Sequence, residues 1–139
     1  MVTSRIVATG AGIPSQVITN DDLAQIMDTS DEWIRQRTGI GERHISGGED
    51  LSYYTTKAAR QIIERAGIAP EDIDLIVVAT VTADYCTPSA ACMVQKEIGA
   101  VNAVAFDVTA ACSGFLYGVS VADKFIRTGD RRRDIIQDR

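Results

Sequence analysis

Apolar residues recur along this chain in two rhythms. From about Leu51 to Ala66 they fall at Leu51, Tyr54, Ala58, Ala59, Ile62, Ile63 and Ala66, a one-face helical pattern closed by Gly67. Ile73 to Thr80 has a near-continuous apolar middle, the pattern of a strand covered on both faces in a parallel sheet. Val101 to Val108 repeats the strand pattern, and Cys112 to Arg127 returns to the helical one. Nearer the start, Arg5-Ile6-Val7-Ala8-Thr9 reads as a first strand ended by Gly10, Gly12 and Pro14. Thr19-Asn20-Asp21-Asp22 signals a helix start, followed by a Leu23, Ile26, Met27 stripe. Thr29 with Glu32 three residues on reads as a capping box, opening a short helix through Trp33 and Ile34 that stops at Gly39. Thr87 and Pro88 read as the cap and first residue of a helix ending near Gly99.

The order β-α-α-α-β-α-β-α with short connections predicts an α/β layered fold. The next element should be a strand. After Gly129, however, only Ile135 and Ile136 are apolar, so the expectation is a fold cut off before the last strand of its sheet. Charge separates the same segment. Residues 1–126 carry 9 basic and 16 acidic side chains, whereas residues 127–139 carry 5 and 3. The expected organisation is therefore one domain over 1–129 and a divergent basic tail over 130–139.

The 139 residues are 45% hydrophobic and 24% charged, ordinary globular composition with enough chain for one core. A net charge of −5 argues against nucleic-acid binding, which needs a basic face to release counterions. The apolar runs are too short to span a bilayer, and Met1-Val2-Thr3-Ser4 does not open a signal peptide, so a cytoplasmic location is expected. Cys86, Cys92 and Cys112 are odd in number and lack a CxxC spacing, which describes free thiols rather than a disulfide framework. The single histidine, His44, makes no recognised zinc spacing, and no metal or other cofactor is expected.

Among the thiols, Cys112 follows a buried strand and a small-residue turn at the start of an apolar helix. There it meets the positive end of the helix dipole and unpaired backbone N–H groups, which activate a thiol and can hold an oxyanion. Ser113, Gly114 and Gly118 let that helix lie close to other backbone. The competing reading is a packed core cysteine. Trp33 and Arg37 lie one turn apart, so ring and guanidinium point to one side, where they could hold a purine or a phosphate. The alternative for a lone Trp is core packing. Arg35, Arg37 and Arg43 add local positive charge that favours an anionic ligand. Cys86 and Cys92 flank the expected Thr87-Pro88 helix start, and Cys92, beside Ala90, Ala91 and Val94, reads as packing. Nothing in spacing supports His44 as a base for Cys112.

Taken together, Thr29-Ser30-Asp31-Glu32-Trp33-Ile34-Arg35-Gln36-Arg37-Thr38-Gly39-Ile40 and Asp107-Val108-Thr109-Ala110-Ala111-Cys112-Ser113-Gly114-Phe115 resemble β-ketoacyl-acyl carrier protein synthase III. The first stretch is similar to that family's N-terminal signature and the second to its nucleophile segment; the likeness runs from residue 5 to about 129. It implies the N-terminal half of a duplicated, thiolase-like α-β-α-β-α layered fold. It further implies that Cys112 attacks an acyl-CoA primer, acetyl-CoA or longer, and that malonyl-acyl carrier protein decarboxylates to condense with the acyl-cysteine. Trp33 would stack on the CoA adenine, with Arg37 and Thr29 near the nucleotide end. Thr87 stands where the family places a primer-pocket residue, often Phe, from the partner of a homodimer; its smaller size implies a longer or branched primer.

The family's catalytic His and Asn, one oxyanion donor and much of the carrier-protein docking surface belong to a second half, absent from these residues. The expectation is an N-terminal portion of a condensing acyltransferase, its tail pointing to a frameshift near Gly129. The alternatives are a non-catalytic partner or CoA-binding subunit, or an inactive fragment.

Overall fold

The apolar run at 75–79 becomes the middle of the main sheet. A computed structural model describes residues 3–129 and 133–138; the Met1-Val2 start and positions 131 and 132 of the arginine run lie outside the described residues. In chain order the elements are β1 (Gln16–Thr19), α1 (Asn20–Ala24), α2 (Asp31–Thr38), β2 (Glu42–Ile45), α3 (Leu51–Ala66), β3 (Leu75–Ala79), α4 (Ala90–Ile98), β4 (Val104–Val108), α5 (Gly114–Thr128) and β5 (Asp134–Asp138). Single 3-10 turns cover Pro70–Asp72 and Ala111–Ser113. Two compact units result, Met1–Gly12 with Asp50–Arg139, and Ile13–Glu49.

In the larger unit β3 lies between β4 and β5, all parallel. Leu75 stands opposite Val104 and Asp134, and Ala79 opposite Val108 and Asp138. With a ladder on each edge and helices on each face, no β3 residue is more than 1% exposed. The side chains alternate as a pleated strand requires. Ile76 and Val78 pack in a cluster with Leu51, Ala59, Ala91 and Val94 from α3 and α4. Leu75 and Val77 pack the other way, with Ala122 and Phe125 of α5. Burying each such aliphatic side chain stabilises the fold by roughly 1.5–3 kcal/mol. The connection from β3 to β4 runs one way along the sheet, and that from β4 to β5 runs back across β3. Right-handed crossovers in opposite directions put α4 and α5 on opposite faces.

Several sequence expectations are corrected. The sheet is not cut off at Gly129: β5 pairs with β3 along its whole length, within the larger unit. Two isoleucines suffice because β5 is an edge strand only five residues long. Ile135 enters the α3/α4 cluster and Ile136 the α5 cluster, so each face receives one apolar side chain. Arg133 anchors the strand's start through Asp72 at 2.9 Å.

Residues 5–9 form no strand, and Ile6 and Val7 are exposed. That segment is tied to α3 by polar bonds: Arg65 donates to the Thr9 carbonyl, and Gln61 both donates to and accepts from the Ala11 backbone. A Cβ at Gly12 would stand 2.0 Å from the Tyr54 carbonyl oxygen, so this close approach to α3 requires glycine. Thr87 and Pro88 do not begin α4. Ser89 caps it, accepting from the Cys92 N–H at 3.2 Å.

In the unit Ile13–Glu49, β1 and β2 pair antiparallel, with Gln16 opposite Ile45 and Thr19 opposite Glu42. Their short, mostly polar sequences gave no strand signal. The Thr19 start is as read: its hydroxyl accepts from Asp22 N–H at 3.1 Å, while the Asp22 carboxylate accepts from Thr19 N–H at 2.8 Å. For α2 the cap is Ser30, not Thr29. Ser30 is the last extended residue, and its hydroxyl accepts from Trp33 N–H at 3.1 Å. Glu32 instead accepts from Gln36, one turn on. Gly39, at φ +75°, closes α2 as expected.

Candidate functional site

Cys112 is placed by a sharp junction between a strand and a helix. Beyond β4, Ala110 lies at φ −141°, ψ 24°, and Ala111 takes φ +44°, a left-handed value that costs a non-glycine residue about 1–3 kcal/mol. Packing of β4 and α5 on either side of the turn holds it there. The thiol of Cys112 is free and exposed. Immediately beyond it α5 begins with no side-chain cap bond and no acidic residue in its first turn, so the positive end of the helix is not neutralised by its own side chains. Gly114 and Gly118 are buried, and a Cβ on Gly118 would stand 2.8 Å from the Ile136 Cγ2. The atoms crowding Gly118 belong to the side chains of Ile136 and Val77, so the close approach to other backbone expected from these glycines is replaced there by side-chain packing.

The direction of the connections reverses at β3 and β4, and such a reversal opens a crevice at the carboxyl ends of the strands. Cys112 follows the carboxyl end of β4. The loop after β3, residues 80–89, leaves the same edge of the sheet and carries Cys86 and Thr87, both exposed. That loop is pinned by Asp84, whose carboxylate accepts from the Leu51 and Ser52 N–H groups at 2.7 and 2.8 Å, capping α3 from a distance. Asp107 does the same for α4, accepting from Ala90 and Ala91 at 2.8 Å each. Neither role is marked by local spacing. The available signal for Asp107 was a carboxylate at an inward position of an apolar strand. Cys92 is half-buried with its Sγ 3.7 Å from the Ala105 carbonyl, which supports the packing reading.

In the other unit, the Arg37 Cζ lies 4.3 Å from the centre of the Trp33 ring. Trp33 is 52% exposed, so the ring is a surface plate rather than core. Thr29 is half-buried, two residues before α2. Arg35 and Arg43 do not join Arg37. Arg35 is paired with Asp31 at 2.8 Å, and Arg43 donates to the Asn20 side chain at 2.7 Å. The Asn20 bond, with Arg35 alongside, holds the Asp31 carboxyl below the usual carboxylate range. His44 Nδ1 lies 2.7 Å from the Pro14 carbonyl, a bond that fixes its proton on that nitrogen.

Asn20 is the residue that sequence reasoning missed. It reads as part of a helix-start signal, and nothing local marks it as buried.

A sequence profile for 3-oxoacyl-[acyl-carrier-protein (ACP)] synthase III matches residues 106–136, which span Cys112 and reach into β5. The likeness thus continues past Gly129, where divergence was expected. A β-ketoacyl-[acyl-carrier-protein] synthase III of Clostridium tetani is 52% identical over 95% of this chain and 40% of its own length. One from Lactococcus lactis subsp. cremoris is 52% identical over 98% of this chain and 42% of its own. The crystal structure of 3-oxoacyl-[acyl-carrier-protein] synthase III from Aquifex aeolicus superposes with a TM-score of 0.92 at 45% identity, covering 95% of this chain and 43% of that one. The chain spans about 40% of the length of the curated relatives it matches. Across nearly all of its own length it is thus similar to the N-terminal portion of the β-ketoacyl-acyl carrier protein synthase III family of thiolase-fold condensing enzymes.

Proposed function

We propose that Cys112 is the acyl-accepting nucleophile of a β-ketoacyl-acyl carrier protein synthase III, and that this chain contributes the first half-reaction of fatty-acid initiation. The observation that carries the reading is the free, exposed Cys112 thiol at an uncapped helix start, within a segment similar to the family's nucleophile segment. The thiolate adds to the thioester carbonyl of acyl-CoA, and backbone N–H groups at the turn can hold the oxyanion. Collapse expels the CoA thiolate and leaves an acyl-cysteine. In the second half-reaction, malonyl-acyl carrier protein loses carbon dioxide, its carbanion attacks the acyl-cysteine, and the Cys112 thiolate departs. The resemblance assigns the His and Asn that drive this decarboxylation to positions outside these residues.

Trp33 is read as the stacking plate for the CoA adenine, with Arg37 and Thr29 near the nucleotide end; the exposed ring and adjacent guanidinium support this. Thr87 is read as a primer-pocket residue, small enough to admit an acyl chain longer than acetyl. Acyl-CoA and acyl carrier protein are the proposed partners, with a cytoplasmic homodimer as the working form. No helix among the described residues is long and apolar enough to cross a membrane. The alternative of a non-catalytic CoA-binding subunit is less favoured, because such a partner has no use for the retained Cys112.

Intact-mass analysis after incubation with acetyl-CoA, with peptide mapping, tests the assignment. One acetyl group confined to Cys112 and lost in Cys112→Ala is expected, and longer acyl-CoAs should label at least as well. Labelling that survives Cys112→Ala would overturn the nucleophile, and a strong acetyl preference would overturn the reading of Thr87.

A further inference from the structure

Helix α2 carries Trp33 and Arg37, yet it has no buried residue of its own. Eight residues are too few for a helix to be stable alone in water, and with Ile34 only half-buried as its apolar contact, polar bonds must help hold it. One buried side chain does so. Asn20 is 1% exposed, and its Nδ2 donates to the Asp31 Oδ1 and to the Ile40 carbonyl, both at 2.8 Å. Asp31 is the first residue of α2, and Ile40 directly follows its closing Gly39. The two hydrogens of one amide therefore hold the two ends of the helix.

The orientation of that amide is fixed. Its Oδ1 accepts from Arg43 Nη2 at 2.7 Å, and Arg43 Nη1 also donates to the Ile18 carbonyl at 3.2 Å. Turning the amide over would set its NH2 against a guanidinium and its oxygen against a carboxylate and a carbonyl. Through Arg43 the helix is referenced to the β1–β2 pair, which carries Ile18 and Arg43 opposite each other.

We infer that Asn20 is a positioning residue that sets α2, and with it the Trp33–Arg37 pair, for the nucleotide end of acyl-CoA. This rests on the reading of that pair given above. Trp33 is the only tryptophan, so its fluorescence reports α2 directly.

The test uses the full chain and CoA itself, with calorimetry for affinity, Trp33 anisotropy for the helix and far-ultraviolet circular dichroism for the fold. Asn20→Asp keeps the side-chain shape and the acceptor for Arg43, loses both donated bonds and faces the Asp31 carboxylate. It should raise the CoA Kd about tenfold or more and lower the anisotropy of Trp33, with the dichroism retained. Adding Asp31→Asn restores a donor–acceptor pair between positions 20 and 31, and should recover part of both losses. That rescue decides the matter even where Asn20→Asp alone loosens its whole unit. A Kd for Asn20→Asp within about twofold of the starting chain, or a double variant no better than the single one, overturns the inference. Trp33→Ala separates the two readings. If it weakens CoA binding while Asn20→Asp does not, only the positioning role falls; if it leaves the Kd unchanged, the nucleotide reading falls and takes the ligand of this inference with it.

Discussion

The two units are held by opposite kinds of force. In the larger one, all five residues of β3 are buried and their neighbours on both faces are apolar. In the smaller one, the residue nearest to full burial is an asparagine, and the helix bearing the tryptophan has no fully buried residue. The first arrangement is non-directional and tolerates shape-conserving change. The second depends on donors meeting acceptors, so one exchanged atom can upset it. A strained turn such as Ala110–Ala111 requires the first kind of support. A surface plate such as Trp33 can be set by the second, because the plate must stay in solvent.

The largest expected effect breaks the apolar side of this contrast. Ile76→Ala removes a fully buried side chain between two ladders and should cost about 2–5 kcal/mol in urea unfolding. A loss below about 1 kcal/mol would mean that β3 is not the centre of the core. Asp107→Ala comes next. It removes two charge-assisted bonds to the α4 amides and should cost about 1.5–3 kcal/mol, showing that the larger unit also depends on one polar link. A near-neutral Asp107→Asn would be compatible with this, since the amide oxygen can still accept.

Smaller effects sharpen the polar side. Ser30→Ala should cost about 1 kcal/mol while Thr29→Ala costs little, because only Ser30 caps α2. The reverse order, followed by Trp33 fluorescence against urea, would restore Thr29 as the cap. The smallest effect is with pH. Hydrogen bonds from Thr19 hold Asp22, and the bond from Asn20 holds Asp31, below the usual carboxylate range. A carboxyl whose folded-state value is depressed stabilises the fold above its unfolded value, and loses that contribution as pH falls through the folded one. Both groups are exposed, so the contribution is modest. On acid titration the Trp33 signal should therefore change before the far-ultraviolet dichroism, whose main source is the larger unit, where Arg127 and Ser4 hold Asp123 below the usual range in the same way. Coincident transitions would show that the two units lose structure together.

Much of the fold is legible where residues act through local rhythm. The bounds of α3, its Gly67 stop, the parallel character of β3 and the Gly39 stop of α2 all follow from spacing. Legibility fails where pairing partners decide. Gln16–Thr19 and Glu42–Ile45 become strands because each finds the other across α1 and α2. Arg5–Thr9, with better strand residues, gains no ladder partner; its Thr9 carbonyl accepts from Arg65 of α3 instead. The segment at 134–138 is too polar to announce a strand, yet β3 offers an open edge and both isoleucines find apolar faces.

The candidate site divides along the same line. The sequence by itself determined that Cys112 stands between a strand and a helix and that Trp33 and Arg37 share a helix side, because these depend only on near neighbours. It did not determine the left-handed turn at Ala111, the remote caps from Asp84 and Asp107, or the amide of Asn20 spanning both ends of α2. Each of those joins residues from separate elements. Hydrogen-bond partners distant in the chain are chosen by how the elements pack, and only the tertiary structure brings the donors to their acceptors.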